Sequence, residues 1–233
     1  MFPVAILAGG LATRLRPVTE TIPKALIEVK SEPFIYHQLR LLKKNGINKV
    51  VLCVGYLGEK IEAVIGSGKN FGLTVEYAYD SPGGGPLLGT AGALKKALPL
   101  LGDDFFVMYG DSYLPCDYSA VQQSFIEQQK NSLMTVFHNQ GQWDKSNVKY
   151  VDHQIMIYDK KSSDSELHYI DYGLGIFHAS AFDRVPENFF YDLADLYQIL
   201  LAEKQLSAFE VKERFYEIGS FSGIEEMNQL VLV

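Results

Sequence analysis

Val4-Ala5-Ile6-Leu7-Ala8-Gly9-Gly10-Leu11-Ala12-Thr13-Arg14-Leu15-Arg16-Pro17, with Pro23-Lys24 just beyond it, is the stretch around which the rest of the chain reads. Val4 to Ala8 is a run of small apolar residues, the pattern of a strand buried on both faces of a parallel sheet. It ends in a Gly-Gly pair, where backbone amides approach a ligand with no Cβ in the way. The following side chains indicate which ligand. Thr13 offers a hydroxyl, and Arg14, Arg16 and Lys24 place three cations in a segment whose only acid is Glu20. In a chain of net charge −7 that local excess points to a bound polyanion, and phosphate fits it. Neither GxxxxGKS/T nor GxGxxG occurs in the chain, so the loop is not one of the two common phosphate loops. A glycine-rich turn followed by ordinary surface cations is the competing reading.

With 233 residues, 47 % of them hydrophobic, the chain can bury one substantial core, and a single domain spanning 1–233 is expected. Cys53 and Cys116 are the only cysteines and form no CxxC, which argues against disulfides and a thiolate metal site and suits a reducing compartment. Met1-Phe2-Pro3-Val4 lacks a basic leader, and no apolar run approaches the ~18 residues needed to cross a bilayer, so a cytoplasmic protein without a membrane partner is expected. The acidic balance excludes the broad basic face that a nucleic-acid polymer requires.

Further along, Ser31-Glu32-Pro33 has the features of a helix start, with Ile35, Leu39 and Leu42 as the buried stripe and Gly46 behind it. Val50 to Val54 reads as a second buried strand, Glu59 to Ile65 as a short helix and Leu73 to Tyr79 as a third strand. That rhythm is the α/β pattern of a parallel sheet with helices on both faces. Between Asp80 and Leu88, Ser-Pro-Gly-Gly-Gly-Pro-Leu makes a loop, either a plain connection or a mobile wall over a nucleotide. Thr90 is then expected to cap a helix running to Pro99. The small residues Gly89, Thr90, Ala91 and Gly92 let a flat base lie against the backbone, or serve close helix packing.

Asp104 to Met108 is the next buried strand and ends in Tyr109-Gly110-Asp111-Ser112. A carboxylate at the C-terminal end of a parallel strand lies where open α/β sheets bind ligands, and Asp111 suits Mg²⁺, which takes one or two carboxylates and fills its shell with phosphate oxygens and water. After it, Tyr118 to Gln129 reads as a helix, and Leu133 to His138, Val148 to Val151 and Gln154 to Tyr158 read as strands, making the sheet mixed. Tyr169 to Phe177 alternates as a strand whose glycines, Gly173 among them, let a substrate press against the backbone; Asp171 and Tyr172 can bond acceptor hydroxyls, although a strand tyrosine also serves packing. Asp192 and Asp195 open a structural helix, and Ser222-x-x-Glu225 reads as the capping box of the last one.

Ala-Gly-Gly-x-x-Thr-Arg-Leu-x-Pro followed by Pro-Lys resembles the N-terminal signature of the nucleotidyltransferases that join a nucleoside triphosphate to a sugar 1-phosphate. The resemblance is strongest over 1–111 and thinner after that. It implies a Rossmann-like, glycosyltransferase-A-like three-layer sandwich with a mixed, mainly parallel central sheet. Residues 1–111 would form the nucleotide-binding half and 112–233 the acceptor-binding half, in an enzyme of nucleotide-sugar and cell-surface polysaccharide synthesis. By the same resemblance Leu7, Ala8, Gly9, Gly10, Thr13, Gly84, Gly89, Thr90 and Gly110 bind nucleotide, and Asp171, Tyr172 and Gly173 bind the acceptor. Arg14, Lys24 and Lys160 (Lys161 as substitute) act on the phosphates, while Asp111 and Glu217 hold Mg²⁺.

Glu217 departs from the family, which has Asp there; the added methylene moves the carboxyl by more than about 1 Å. Gly84 stands where relatives reading pyrimidines carry Gln or Glu. The string Pro-Leu-Leu-Gly-Thr-Ala-Gly is similar to enzymes using GTP with mannose or heptose 1-phosphate, and GTP or CTP is the expected triphosphate. The length suggests a stand-alone transferase without a C-terminal acyltransferase helix. A cytidylyltransferase for a small non-sugar phosphate and a silent nucleotide-sugar-binding regulatory subunit are the alternatives. Oligomeric state is not indicated.

Overall fold

The chain is described from a computed structural model, covering residues 1–80, 87–139, 141–162 and 165–230. In chain order its strands and helices are β1 (Val4–Leu7), β2 (Glu28–Val29), β3 (Glu32–Pro33), α1 (Phe34–Lys44), β4 (Lys49–Val54), α2 (Gly58–Ile65), β5 (Thr74–Tyr79), α3 (Gly89–Leu101), β6 (Asp104–Tyr109) and β7 (Ser112–Tyr113). They continue as α4 (Tyr118–Gln128), β8 (Ser132–His138), β9 (Val148–Val151), β10 (Gln154–Tyr158), β11 (Tyr169–His178), α5 (Leu193–Ala202), β12 (Leu206–Val211), β13 (Tyr216–Glu217) and α6 (Phe221–Gln229).

Among the described residues nine of these strands make one sheet. β6, β1, β4 and β5 are neighbours and parallel, as their continuous apolar sequences predict. β11 pairs antiparallel with β6 and β8, β12 runs parallel to β8, and the β9–β10 hairpin extends the edge of β11 that also carries β6, so the sheet is mixed. Strand side chains alternate between two cores. Val4, Ile6, Val50, Leu52, Phe106 and Met108 pack with α1, α2 and α4 on one face, while Ala5, Val51, Phe105 and Val107 pack with α3 and α5 on the other. The three-layer α/β sandwich expected from the resemblance is therefore the observed architecture.

A third, smaller core positions the site. Leu15 from the loop after β1, Val29 from β2, Tyr113 from β7, Ile218 after β13 and Met227 from α6 are buried together. The antiparallel pair β7–β13, with Tyr216 opposite Tyr113 and Glu217 opposite Ser112, is held on that core.

Several local expectations change. Ser31 does not cap α1: Lys30 and Ser31 both have positive φ and form the two-residue turn of the β2–β3 hairpin, which leaves Pro33 before the helix. α6 starts two residues earlier than the Ser222 box predicts, because Ser220 accepts from the Gly223 amide at 3.1 Å. Strands β2, β3, β7 and β12 were not anticipated. Two-residue strands carry no period, and β12 owes its strand state to pairing with β8, which is distant in sequence.

Candidate functional site

The C-terminal ends of β1, β4, β5 and β6 open on a cavity of about 320 Å³. Leu7, Ala8, Gly9, Gly10, Lys24, Gly89, Thr90, Gly110 and Asp111 line it, and so do Cys53, Asp80, Tyr109, Phe190 and Asp192. The loop after β1 is shaped by its small residues. A Cβ on Gly9 would stand 3.2 Å from the Asp80 carboxyl and 3.2 Å from the Gly55 amide, whereas one on Gly10 would meet nothing. Gly9 thus packs against the exits of β4 and β5 and Gly10 leaves space open. Leu15 is fully buried and the Thr19 hydroxyl donates to the Ala12 carbonyl at 2.8 Å, which fixes the loop and leaves Thr13 and Arg14 exposed.

Gly110 carries the chain across β1, where a Cβ would come 2.8 Å from the Leu7 carbonyl oxygen; its own amide donates to that oxygen at 3.0 Å. That close crossing delivers Asp111 to the cavity, and Lys24 Nζ meets its Oδ2 at 2.8 Å. Next to this pair is Glu217. Burial raises its carboxyl above the ordinary range, and Asp111 and Asp144 add to the effect while Arg14 and Lys24 oppose it. Arg14 Nη2 and Glu217 Oε1 both lie 3.2 Å from where a Cβ on Gly219 would be. Tertiary structure therefore gathers Arg14, Lys24, Asp111 and Glu217 at one corner of the cavity, two cations against two carboxylates.

On the other side of Asp111 stands Tyr109. The Lys160 ammonium lies 3.4 Å from its hydroxyl and 5.5 Å from its ring centre. Asp171 is raised by burial and lowered in turn by the Lys160 charge, by the Gly173 amide at 3.0 Å and by the Tyr158 hydroxyl at 3.3 Å. Lys160, Asp171 and Gly173 thus come together beside the cavity. Lys161 is exposed, with its amide donating to the Asp159 carboxylate at 2.7 Å.

Two expectations are corrected, and one lies outside the described residues. Tyr172 is 2 % exposed and packs in the core against Phe137 and Phe215, with its hydroxyl facing the Cys116 thiol, so it does not reach an acceptor. Its neighbours Asp171 and Gly173 face the site because strand residues alternate. Thr90 does not cap its own helix: its hydroxyl accepts from the Leu193 amide at 2.7 Å and donates to the Asp192 carboxylate at 3.2 Å, tying the start of α3 to that of α5. The Tyr191 carbonyl accepts from the Ala91 and Gly92 amides, and a Cβ on Gly89 would stand 2.5 Å from that same oxygen. The glycines at this helix start accommodate the backbone of residues 189–191, which takes up the amides of Ala91 and Gly92. Gly84 and the loop wall of 81–86 lie outside the described residues.

Asp80 and Tyr109 were missed, although the positional rule that singles out Asp111 applies to both, since each sits at the C-terminal end of a parallel strand. Cys53 also lines the cavity, but burial pushes its thiol far above the ordinary range and leaves no thiolate nucleophile. No helix among the described residues is long and apolar enough to cross a membrane.

Comparison with known proteins adds the lineage. Residues 4–232 match the family described as nucleotidyl transferase. The chain is 30 % identical over 212 residues to a UTP–glucose-1-phosphate uridylyltransferase of Synechocystis, covering 84 % of this chain and 54 % of that one. It is 28 % identical over 224 residues to a mannose-1-phosphate guanyltransferase of Saccharomyces cerevisiae, covering 92 % and 60 %. The chain thus spans little more than half the length of these relatives. The structure of HddC from Yersinia pseudotuberculosis complexed with GMP-PN has the same fold, with a TM-score of 0.79 at 22 % identity over 98 % of this chain and 99 % of that one.

Proposed function

The chain belongs to the nucleotidyl transferase family, and from that premise we propose that it transfers a nucleoside monophosphate from a nucleoside triphosphate to a sugar 1-phosphate, giving a nucleotide sugar and pyrophosphate. The observation that carries the reading is the corner where Lys24, Asp111, Arg14 and Glu217 meet beside a glycine-lined cavity.

A phosphate oxygen of the acceptor forms a bond to the α-phosphorus while the bond from that phosphorus to the β-phosphate oxygen breaks. Pyrophosphate leaves with the electron pair. The phosphate is already a nucleophile, so the protein's task is to hold anions against one another. The glycine loop and Thr13 cradle the triphosphate, Arg14 neutralises charge on the departing phosphates, and Lys24 sits beside the α-phosphate. Lys160, on the Tyr109 side, meets the acceptor's phosphate, with Asp171 and the Gly173 backbone next to it for the sugar.

Asp111 is close enough to help raise the Glu217 carboxyl, and two carboxylates are the donor set Mg²⁺ takes when phosphates and water complete its shell. The chemistry supplied by the ion is charge neutralisation on the phosphate oxygens. Orientation and acceptor capture rest on the cations just named.

Pyrophosphate release, measured across a panel of triphosphates and phosphorylated acceptors, tests the reading. Turnover with a sugar 1-phosphate supports it; release only with non-sugar phosphates overturns the acceptor assignment, and no release with any pair overturns the transfer. Asp111→Asn is expected to abolish the Mg²⁺-dependent activity.

A further inference from the structure

Gln38 is a polar residue on the buried stripe of α1, fully covered like Ile35, Leu39 and Leu42 on the same stripe. An amide in that position is costly unless its groups find partners. Its Nε2 donates to the Tyr109 carbonyl at 3.1 Å and to the Ser112 carbonyl at 2.7 Å, which employs both of its hydrogens. Its Oε1 is buried with no hydrogen-bond partner among the described residues. The two carbonyl oxygens facing the side chain only accept, so the amino end is the end that fits there. Gln38 holds them although its own oxygen goes unpaired.

Those two carbonyls bracket Gly110 and Asp111. The Gly110 amide donates to the Leu7 carbonyl at 3.0 Å, and the Asp111 carbonyl accepts from the amide of Ile218, the residue after Glu217, at 2.9 Å. The segment 109–112 is therefore pinned to β1, to α1 and to the chain that carries Glu217, and Gln38 spans both sides of Asp111 with one amide group. Each end of that span touches the site. Tyr109 has its hydroxyl 3.4 Å from the Lys160 ammonium, and Ser112 pairs with Glu217 between β7 and β13. Between them the Asp111 carboxylate reaches out to Lys24 at 2.8 Å.

Resting on the transfer reading above, we infer that Gln38 is a positioning residue of the reaction: from inside the core it fixes where the Asp111 carboxylate stands against the phosphates. With no exposed surface it touches no substrate, so it acts through the backbone of 109–112 alone. Without its two donors the Tyr109 and Ser112 carbonyls are left buried and unpaired, and the segment shifts to find other partners or water. A shift of the order of 1 Å carries Asp111 away from its place beside Lys24 and Glu217, and displacements of that size far from the reacting atoms lower rates by roughly 100-fold. Substrate binding draws on Arg14, Lys160 and the glycine loop as well, so the loss falls on the chemical step.

The test compares Gln38→Met, which keeps the length of the side chain and removes both donors, with Ile35→Val, which loosens the same helix about one turn away. Pyrophosphate release is measured where circular dichroism shows both variants folded, with the triphosphate and sugar 1-phosphate that the wild type turns over fastest. Gln38→Met is expected to lose roughly 10- to 100-fold in kcat, with KM for both substrates within about threefold, while Ile35→Val keeps the wild-type kcat. Calorimetric titration with the same triphosphate gives a readout without turnover: the affinity gained on adding Mg²⁺ should be smaller in Gln38→Met than in the wild type. A folded Gln38→Met with wild-type kcat, a loss confined to KM, an equal loss of kcat in the two variants, or an equal Mg²⁺ gain in Gln38→Met and wild type overturns the role of Gln38. Should Gln38→Met not fold, Gln38→Glu, which keeps the shape and at most one donor, is judged by the same outcomes. A wild type that turns over no pair overturns the transfer reading itself, a distinct result.

Discussion

Lys24 Nζ and Asp111 Oδ2, separated by 87 positions in sequence, stand 2.8 Å apart at the rim of the cavity, with only 18 % and 21 % of their side chains exposed. On the proposed transfer reading, a cation placed there serves the phosphates more than the fold. Lys24→Met is expected to lower turnover by roughly 100- to 1000-fold, the usual effect of removing one preorganised donor. A partly exposed pair of this kind contributes about 1 kcal/mol or less to stability, so thermal melting should shift little. Pyrophosphate release and a melting curve on the same preparation check both halves of the statement.

Arg14 is exposed on a loop anchored by its neighbour Leu15, so the guanidinium can be removed without disturbing a core. Arg14→Ala should retain the wild-type melting temperature and lose roughly 100- to 1000-fold in turnover. Near wild-type turnover would remove Arg14 from the mechanism.

Asp80 makes stability depend on pH. Burial raises its carboxyl from 3.8 to about 6, with the Lys96 charge opposing. Because the folded-state value lies above the unfolded one, protonation favours the fold: this contribution is fully present below pH 3.8 and is lost as pH rises through about 6. Asp80→Asn should therefore gain on the wild type across that interval, by up to about 3 kcal/mol at its upper end. Denaturant titrations of ligand-free protein at pH 4 and pH 8 measure it, and an equal difference at the two pH values would contradict the assignment.

Tyr172→Phe removes a hydroxyl that faces Cys116 in the core. Stability should change by about 1 kcal/mol or less, and KM for the acceptor should not move. A KM raised several-fold would return Tyr172 to the site. Steady-state kinetics with the acceptor varied give the answer.

The strands that carry the site were legible because each is a short apolar run bounded by turn residues, and hydrophobic burial on two faces leaves no other pattern. Gly9-Gly10 with Thr13-Arg14, Lys24 after Pro23, and Asp111 at the end of a buried strand were legible for the same local reason. The capping of α1 misled because a serine three residues before an apolar run fits a two-residue turn as readily as a helix start, and the choice belongs to strand pairing between β2 and β3, whereas at α6 two serines two residues apart both fit a cap and Ser220 takes the role.

What only the tertiary structure decided is which distant segments meet. The order β6, β1, β4, β5 brings Asp111 and Asp80 from different strand exits to one cavity, the β7–β13 pair brings Glu217 to Arg14, and the Tyr191 carbonyl takes up the Ala91 and Gly92 amides at the start of α3. Local periodicity specifies an element and its buried face. Strand order and loop docking depend on contacts between residues as much as a hundred positions apart, which one sequence encodes only through the packing of the whole.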